Sequence, residues 1–281
     1  MPTYDQLRVQ AEAGGLVFSG DPETRTRVDF DYTMSSQEAP KATVTVFNPP
    51  DGFAAQVRRG TVVRVSAGWS GALSVVFAGS PVPDGVEVDG SGRDVEVKIK
   101  VTPGNDNWRK AVSHVRRGQA AYQDVVTSII TDMGLQVGDL DLSLAPTYLA
   151  RGYLWEGPGW RALRTLAASA SCEIAFDGTT VNFFRVGKGL ASNLENVPLF
   201  TQSSTGGNII GSPKYTDKGL SFETLLDLRI GLGKRVALDF YDKFNGRQTK
   251  GLYVPTAVQH SGSSHGASRT TRVTARFSGG L

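Results

Sequence analysis

A chain of 281 residues, 40% hydrophobic and 20% charged, is long enough to bury one large core or two to three small ones, which excludes a chain that stays largely disordered. Its 33 glycines and 13 prolines demand frequent turns and favour many short strands over long helices. The net charge of +3 hides an asymmetry: residues 1–103, 104–190 and 191–281 carry 10, 9 and 11 Lys+Arg against 13, 8 and 6 Asp+Glu, a distribution that can complement an acidic partner or the acidic segment of a neighbouring copy.

The first segment reads as strand after strand. Val28, Phe30 and Tyr32 alternate with Arg27, Asp29 and Asp31, and Ala42, Val44 and Val46 alternate with Lys41, Thr43 and Thr45. Val95, Val97, Ile99 and Val101 alternate in the same way with Asp94, Glu96, Lys98 and Lys100. Period two with one apolar face predicts half-buried antiparallel strands. Turns are expected at Asn48 to Gly52, at Pro83-Asp84-Gly85 and at Asp89 to Gly92. A β-barrel or sandwich over residues 1–103 follows.

The rhythm changes after Pro103-Gly104. Tyr122, Val125, Val126, Ile129, Ile130 and Met133 lie on one face of a helix that Gly134 stops. Trp160, Leu163, Leu166, Ala167 and Ala170 make a second helix, and Cys172, Ile174 and Phe176, then Val181 and Phe183, form a hairpin about Asp177-Gly178. A small α+β domain is expected over 104–190. Its lone Cys172 excludes an intrachain disulfide, reads as a small buried hydrophobe, and suits assembly in a reducing cytoplasm. Period two returns in 191–281 at Val236, Leu238 and Phe240 and at Val273, Ala275 and Phe277, with Asp242 to Lys250 expected as an exposed hairpin tip and contact loop. No apolar run of about 18 residues and no basic-then-apolar N-terminus is present, so neither a membrane span nor a secretion signal is expected.

Chemistry is not advertised. His114, His260 and His265 are the only histidines and stand in no metal-ligand spacing; His260 and His265 flank serines, but no Gly-x-Ser-x-Gly elbow and no third group accompanies them. His260 is read as a turn histidine bonding backbone. Gly231-Leu232-Gly233-Lys234 lacks the frame of a phosphate loop, and Glu223 and Asp227 read as surface charges. Trp69, Trp108, Trp155 and Trp160, with Arg116-Arg117 and Lys234-Arg235, read as core or interface anchors with surface charge, not as base readers. No catalytic, cofactor-binding or metal residue is assigned, and the chain is not expected to be an enzyme.

Two stretches echo one another. Val44 to Val82 and Gly207 to Gly262 each run from a polar-apolar segment through a loop to a glycine, Gly60 or Gly233, and then into two strands separated by a hydrophilic turn. In wording and order they resemble the baseplate hub, or tail hub, proteins of long-tailed bacteriophages. The first copy carries Phe47-Asn48-Pro49, Gly60, Ala67-Gly68-Trp69 and Phe77-Ala78-Gly79. The second carries Ile210-Gly211-Ser212-Pro213, Gly219-Leu220-Ser221, Leu225-Leu226, Gly233, Gly251-Leu252-Tyr253-Val254 and His260. It departs from the family pattern at Arg229 to Leu232, where a proline is frequent, and at Ser263-Ser264, where an Asp is common. The resemblance implies a β-rich α+β chain in which two related tube-like β-modules, 1–103 and 191–281, flank the 104–190 insert. It implies a homotrimer whose six modules form a pseudo-sixfold ring between a hexameric tail tube and a trimeric spike. Partners would be a tail tube or adaptor protein, the spike and a tape measure protein, with DNA passing through and no membrane insertion. The alternatives are a hub module of a contractile injection system, tailocin-like, and a tail-associated peptidoglycan hydrolase.

Overall fold

The computed structural model of the chain describes residues 7–19, 26–58, 61–69, 72–91, 94–104, 106–193, 197–202, 207–266 and 269–280. The first part contains β1 Leu7–Ala13, β2 Leu16–Ser19, β3 Val28–Ser35, β4 Glu38–Phe47, helix α1 Phe53–Arg58, β5 Val63–Trp69, β6 Ser74–Ser91 and β7 Asp94–Pro103. The middle part follows a short 3-10 turn with β8 Ala111–Arg116, β9 Ala120–Ala121, α2 Tyr122–Asp132, β10 Gln136–Leu140, β11 Tyr148–Leu149, β12 Tyr153–Pro158, α3 Gly159–Ser169, β13 Cys172–Asp177 and β14 Thr180–Arg185. The last part holds β15 Leu199–Thr201, β16 Ile209–Thr216, β17 Gly219–Leu225, β18 Val236–Asp242, β19 Arg247–Ser263 and β20 Arg269–Gly279.

The echo in sequence is an echo in topology. The five strands β3 to β7 lie in the order β3-β4-β7-β6-β5, and β16 to β20 lie in the order β16-β17-β20-β19-β18. Each set is a hairpin followed by a three-stranded meander, and in each the loop after the second strand crosses to the fifth in the row. They differ at the sixth strand, since β1 runs antiparallel to β5 while β15 runs parallel to β18. Alternation builds both. Val44 faces Ile99 and Val46 faces Val97 in the first; Phe222 faces Val273 and Leu220 faces Ala275 in the second. All eight side chains are buried, each of the larger ones contributing about 1.5–3 kcal/mol of transfer free energy.

β6 and β19 are the long strands of their sets and serve two partners each. β6 pairs β5 over Ser74 to Gly79 and then β7; β19 pairs β18 up to Tyr253 and then β20. Both bend at a register shift beside a proline, between Pro81 and Val86 and between Pro255 and Ala257. Proline has no N–H for the ladder, so the strand can leave one neighbour and take up the next at that point. The expected turn at Pro83-Asp84-Gly85 is therefore this bulge, with Asp84 at φ 56°, and not the end of a strand. Asp89, Gly90 and Ser91 likewise continue β6. Gly60 and Gly92 lie outside the described residues.

The middle part packs α2 and α3 on the sheet β10-β14-β13 around its own core, which includes Trp108, Ile129, Met133, Leu163 and Phe183. Gly134 takes φ 76° and its amide bonds the Thr131 carbonyl at 2.8 Å, closing α2. The Tyr122 hydroxyl, bonded to the Leu166 carbonyl and to Ser169 Oγ, ties the two helices together. No helix among the described residues is long and apolar enough to cross a membrane.

Candidate assembly interface

The two strand sets meet along one seam. β3 pairs antiparallel with the second half of β19, from Ala257 opposite Ser35 to Ser263 opposite Asp29, so that strands from both sets share a single 13-stranded sheet. Side chains lock the register. Asp31 accepts bonds from Gln259 Nε2 and, at 2.9 Å, from Ser261 Oγ, while Ser264 Oγ accepts the Val28 amide at 2.9 Å. Trp69 Nε1, at the end of β5, donates to the Leu226 carbonyl at 2.8 Å and closes the seam from the other side.

His260 sits at the centre of this seam, opposite Tyr32 and only 2% exposed. The sequence placed it in a turn; it is in mid-strand. Thr271 Oγ1 accepts the Asp227 amide at 3.1 Å and lies 2.9 Å from His260 Nδ1, and the imidazole also bonds the Ile230 backbone. Burial pushes its pKa down to about 4, because a charged ring would lose its water, against smaller raising effects from the Ile230 bond, Asp227 and Asp31.

The middle part is seated on the same seam. Gly233, at φ 71°, exchanges backbone bonds with Leu190 and Pro255, and a Cβ there would stand 3.0 Å from Leu190 and from the Phe184 ring. That is the physical reason for the glycine that the sequence comparison singled out. Lys234 pairs with Asp177 at 3.3 Å and Arg235 Nε donates to the Lys188 carbonyl at 2.7 Å. Glu173, buried on β13, meets Arg276 of β20 at 3.4 Å; burial raises its pKa and the arginine opposes that rise. Where the three parts converge lies a cavity of about 560 Å³, lined among others by Tyr32, Phe77, Phe176, Asn182, Ile230 and His260. Its walls are mostly aliphatic and aromatic, and its charged groups are engaged.

Among the described residues the corresponding strands, the second half of β6 and β16, have no such neighbour. Val88 of β6 holds the place of His260 in β19: each follows by two residues the buried valine, Val86 or Val258, that faces Ile99 or Val273. Yet Val88 is 51% exposed. β16, which stands where β3 stands in the other set, exposes Ile210 and Tyr215. The face of the sheet opposite the core is polar across both sets. Glu87, Lys98, Thr45 and Asp29 line up over β6, β7, β4 and β3, and Gln259, Arg272 and Glu223 over β19, β20 and β17.

The residues weighed for chemistry are dispersed. His265 bonds Ser264 at 2.8 Å at the tip of β19–β20, and His114 lies in the middle part beside Asp132 at 3.3 Å. Glu223 pairs with Arg272 and Asp227 with Arg229. Among the described residues no group of three or more His, Cys, Asp or Glu could hold a metal ion. Cys172 is buried, donates to the Asp141 carbonyl at 3.0 Å and has its pKa pushed up to about 11 by burial. Trp108 stacks edge-on with Trp160 and Phe176 at 4.3 and 4.4 Å, as core. Sequence reading missed β1, β2 and the β8–β12 ribbon, although Leu7, Val9, Ala11 and Ala13 alternate as buried residues and carried a period-two signal.

No protein-family model matches the sequence, and a search of curated proteins finds no match. Solved structures do match in fold. A tail protein from Neisseria meningitidis MC58 superposes with a TM-score of 0.64 at 11% identity over 96% of each chain. The 43 kDa tail protein of prophage MuSo2 from Shewanella oneidensis does so at 0.59 and 10% identity, over 96% of this chain and 98% of that one. The E. coli c3393 protein, described as a component of the type VI secretion system similar to T4 bacteriophage tail proteins gp27 and gp5, gives 0.55 at 12% identity over 92% of this chain and 77% of that one. The chain thus has a fold found in phage tail proteins and in a secretion component.

Proposed function

We propose that this chain is a structural hub of a phage tail tip, a homotrimer whose six strand sets close a pseudo-sixfold ring. The observation that carries the reading is the repeat itself. Within one chain, the β3 edge of the first set pairs with β19 of the second; the equivalent edges, β16 of the second and β6 of the first, remain open. Three chains arranged head to tail would repeat the internal seam as a β6–β16 seam between neighbours, and those two open edges would be closed around the ring. A ring of three chains and six similar sets meets a six-fold tube on one side and a three-fold spike on the other. The polar face of the sheet would then line the channel through which DNA passes, without reading its bases. The domain division is 1–103, 104–190 and 191–281, with the middle part projecting outside the ring. In this reading the chain assembles in the host cytoplasm, and its neighbours are a tail tube or adaptor protein, the spike and a tape measure protein. The likeness to the type VI component supports a second setting for the same ring, the hub of a contractile injection system.

Cross-linking tests it directly. In a Val88→Cys, Tyr215→Cys double variant, at the positions that correspond to His260 and Tyr32 of the internal seam, oxidation should link chains into closed trimers, with buried Cys172 not competing because its thiol is held protonated. Mass measurement of the assembled tip should give three chains per ring; a persistent monomer in that tip, or six chains, sinks the model. The hub is also proposed to have no catalysis of its own, so peptidoglycan and generic ester or phosphate substrates should show no turnover. Activity that disappears on mutating His260 would overturn that.

A further inference from the structure

The middle part carries a basic surface that neither its core nor the ring uses. β8 and β12 pair antiparallel with Val115 opposite Leu154 and Arg116 opposite Tyr153, and the ribbon resumes beyond as β9 with β11. Between the two stretches the strands pinch together at Gly118 and Gly152, both at positive φ. A Cβ on Gly152 would stand 2.1 Å from the Arg116 carbonyl oxygen and 2.8 Å from that of Gly118, so only glycine permits the approach. The pinch brings Arg116 at the end of β8, Arg117 just beyond it and Arg151 from the turn before β12 to the rim of one open cleft. All three are exposed, and among the described residues none has a carboxylate partner. Beside them the cross-strand pair Leu154 and Val115 is 74% and 55% exposed.

Neither feature helps this chain fold. Three gathered guanidinium groups repel one another, and an opposed Leu–Val pair in water forgoes its burial. The ribbon's other face, with Val112, His114, Tyr153 and Trp155 and with Arg116 at its exposed end, is the one turned to the core. The geometry points to a docking site for an extended acidic segment of a partner protein: its carboxylates held by Arg117 and Arg151, with Arg116 reaching in from the end of the ribbon, and one apolar side chain laid over Val115 and Leu154. A nucleic acid fits less well. The aromatic rings at hand, Tyr153 and Trp155, face inward and offer no stacking platform, and a phosphate backbone would leave the apolar pair wet.

The inference does not depend on the ring, and its test uses the isolated full chain. The probe is a fluorescein-labelled peptide of about a dozen residues, Glu and Asp around a central Leu-Val, compared with its Lys counterpart and with single-stranded and duplex DNA of matched charge. Anisotropy at low salt should show the acidic peptide binding and the Lys peptide not. R116Q/R117Q/R151Q should weaken binding about tenfold or more and flatten its salt dependence. Leu154→Ser should weaken it several-fold with the salt dependence kept. All these side chains are exposed, so thermal unfolding should be unchanged in each variant, which separates lost docking from lost fold. An acidic peptide that does not bind, one that binds the triple variant equally well, or DNA that binds more tightly than the peptide would overturn the proposal.

Discussion

His260 shows how a residue that invites a catalytic reading can belong to a seam. Its folded-state pKa, down to about 4, lies below the ordinary histidine value of 6.5. As pH falls through that window the unfolded chain takes the proton first, so stability is lost as pH drops from 6.5 toward 4, by on the order of 3 kcal/mol at most. An NMR titration should find the His260 ring neutral until about pH 4; a ring that titrates near 6.5 in the folded protein would mean the seam is open. Glu173 works in the opposite direction. Its folded pKa is raised, so its contribution is fully present below the ordinary carboxyl range and is lost as pH rises through the raised value. Urea midpoints for Glu173→Gln should therefore lack a decline above pH 4 to 5 that the parent shows. Gly233→Ala adds a Cβ against Leu190 and Phe184 at a positive φ and should cost roughly 1–3 kcal/mol, read from the same denaturation curves.

At the scale of elements, an edge strand can be tested without disturbing the core behind it. Val88→Lys places a charge on the open edge of β6, where charged side chains block strand addition. The expected outcome is a chain that melts as the parent does but sediments as a monomer; an unchanged trimer would remove β6 from the contact. How much of this was legible beforehand follows from what periodicity encodes. Alternation at Val44 and Val46, at Val97 to Val101 and at Val273 to Phe277 announces strands because each has one wet face, and the helices α2 and α3 announce themselves by a narrow apolar stripe. Alternation says nothing of which strands pair, so the β3–β19 seam and the place of His260 in it were not readable. The bulges at Pro81 and Pro255 look like turns locally, since a proline beside polar residues signals the same break whether the chain reverses or only changes partner. The Asp242 to Lys250 tip shrank for a related reason: Asp242 caps the turn through Phe244 and Asn245, and pairing resumes at Arg247. The arginines at the Gly118–Gly152 pinch come from the end of β8 and the turn before β12 and become neighbours only through the fold.

For the whole molecule, the charge asymmetry and the open edges say different things about what holds the ring. The first 103 residues carry three more acids than bases and the last 91 carry five more bases than acids, so head-to-tail contact of unlike sets is favoured over like with like. These charges lie mostly on exposed positions, where about 0.15 M salt screens them beyond some 8 Å. The groups at the open edges that would gain most from contact are Val88, Ile210 and Tyr215, together with the unpaired backbone of two strands, and neither apolar burial nor a strand ladder is weakened much by salt. Charge should then orient the encounter while burial and backbone pairing set the affinity. Sedimentation equilibrium from about 0.05 M to about 0.5 M NaCl should raise the apparent dissociation constant by less than about tenfold, and the association rate should fall by more than the dissociation rate rises. A trimer that falls apart across that range would identify the contact as ionic and would place it away from the β6 and β16 edges.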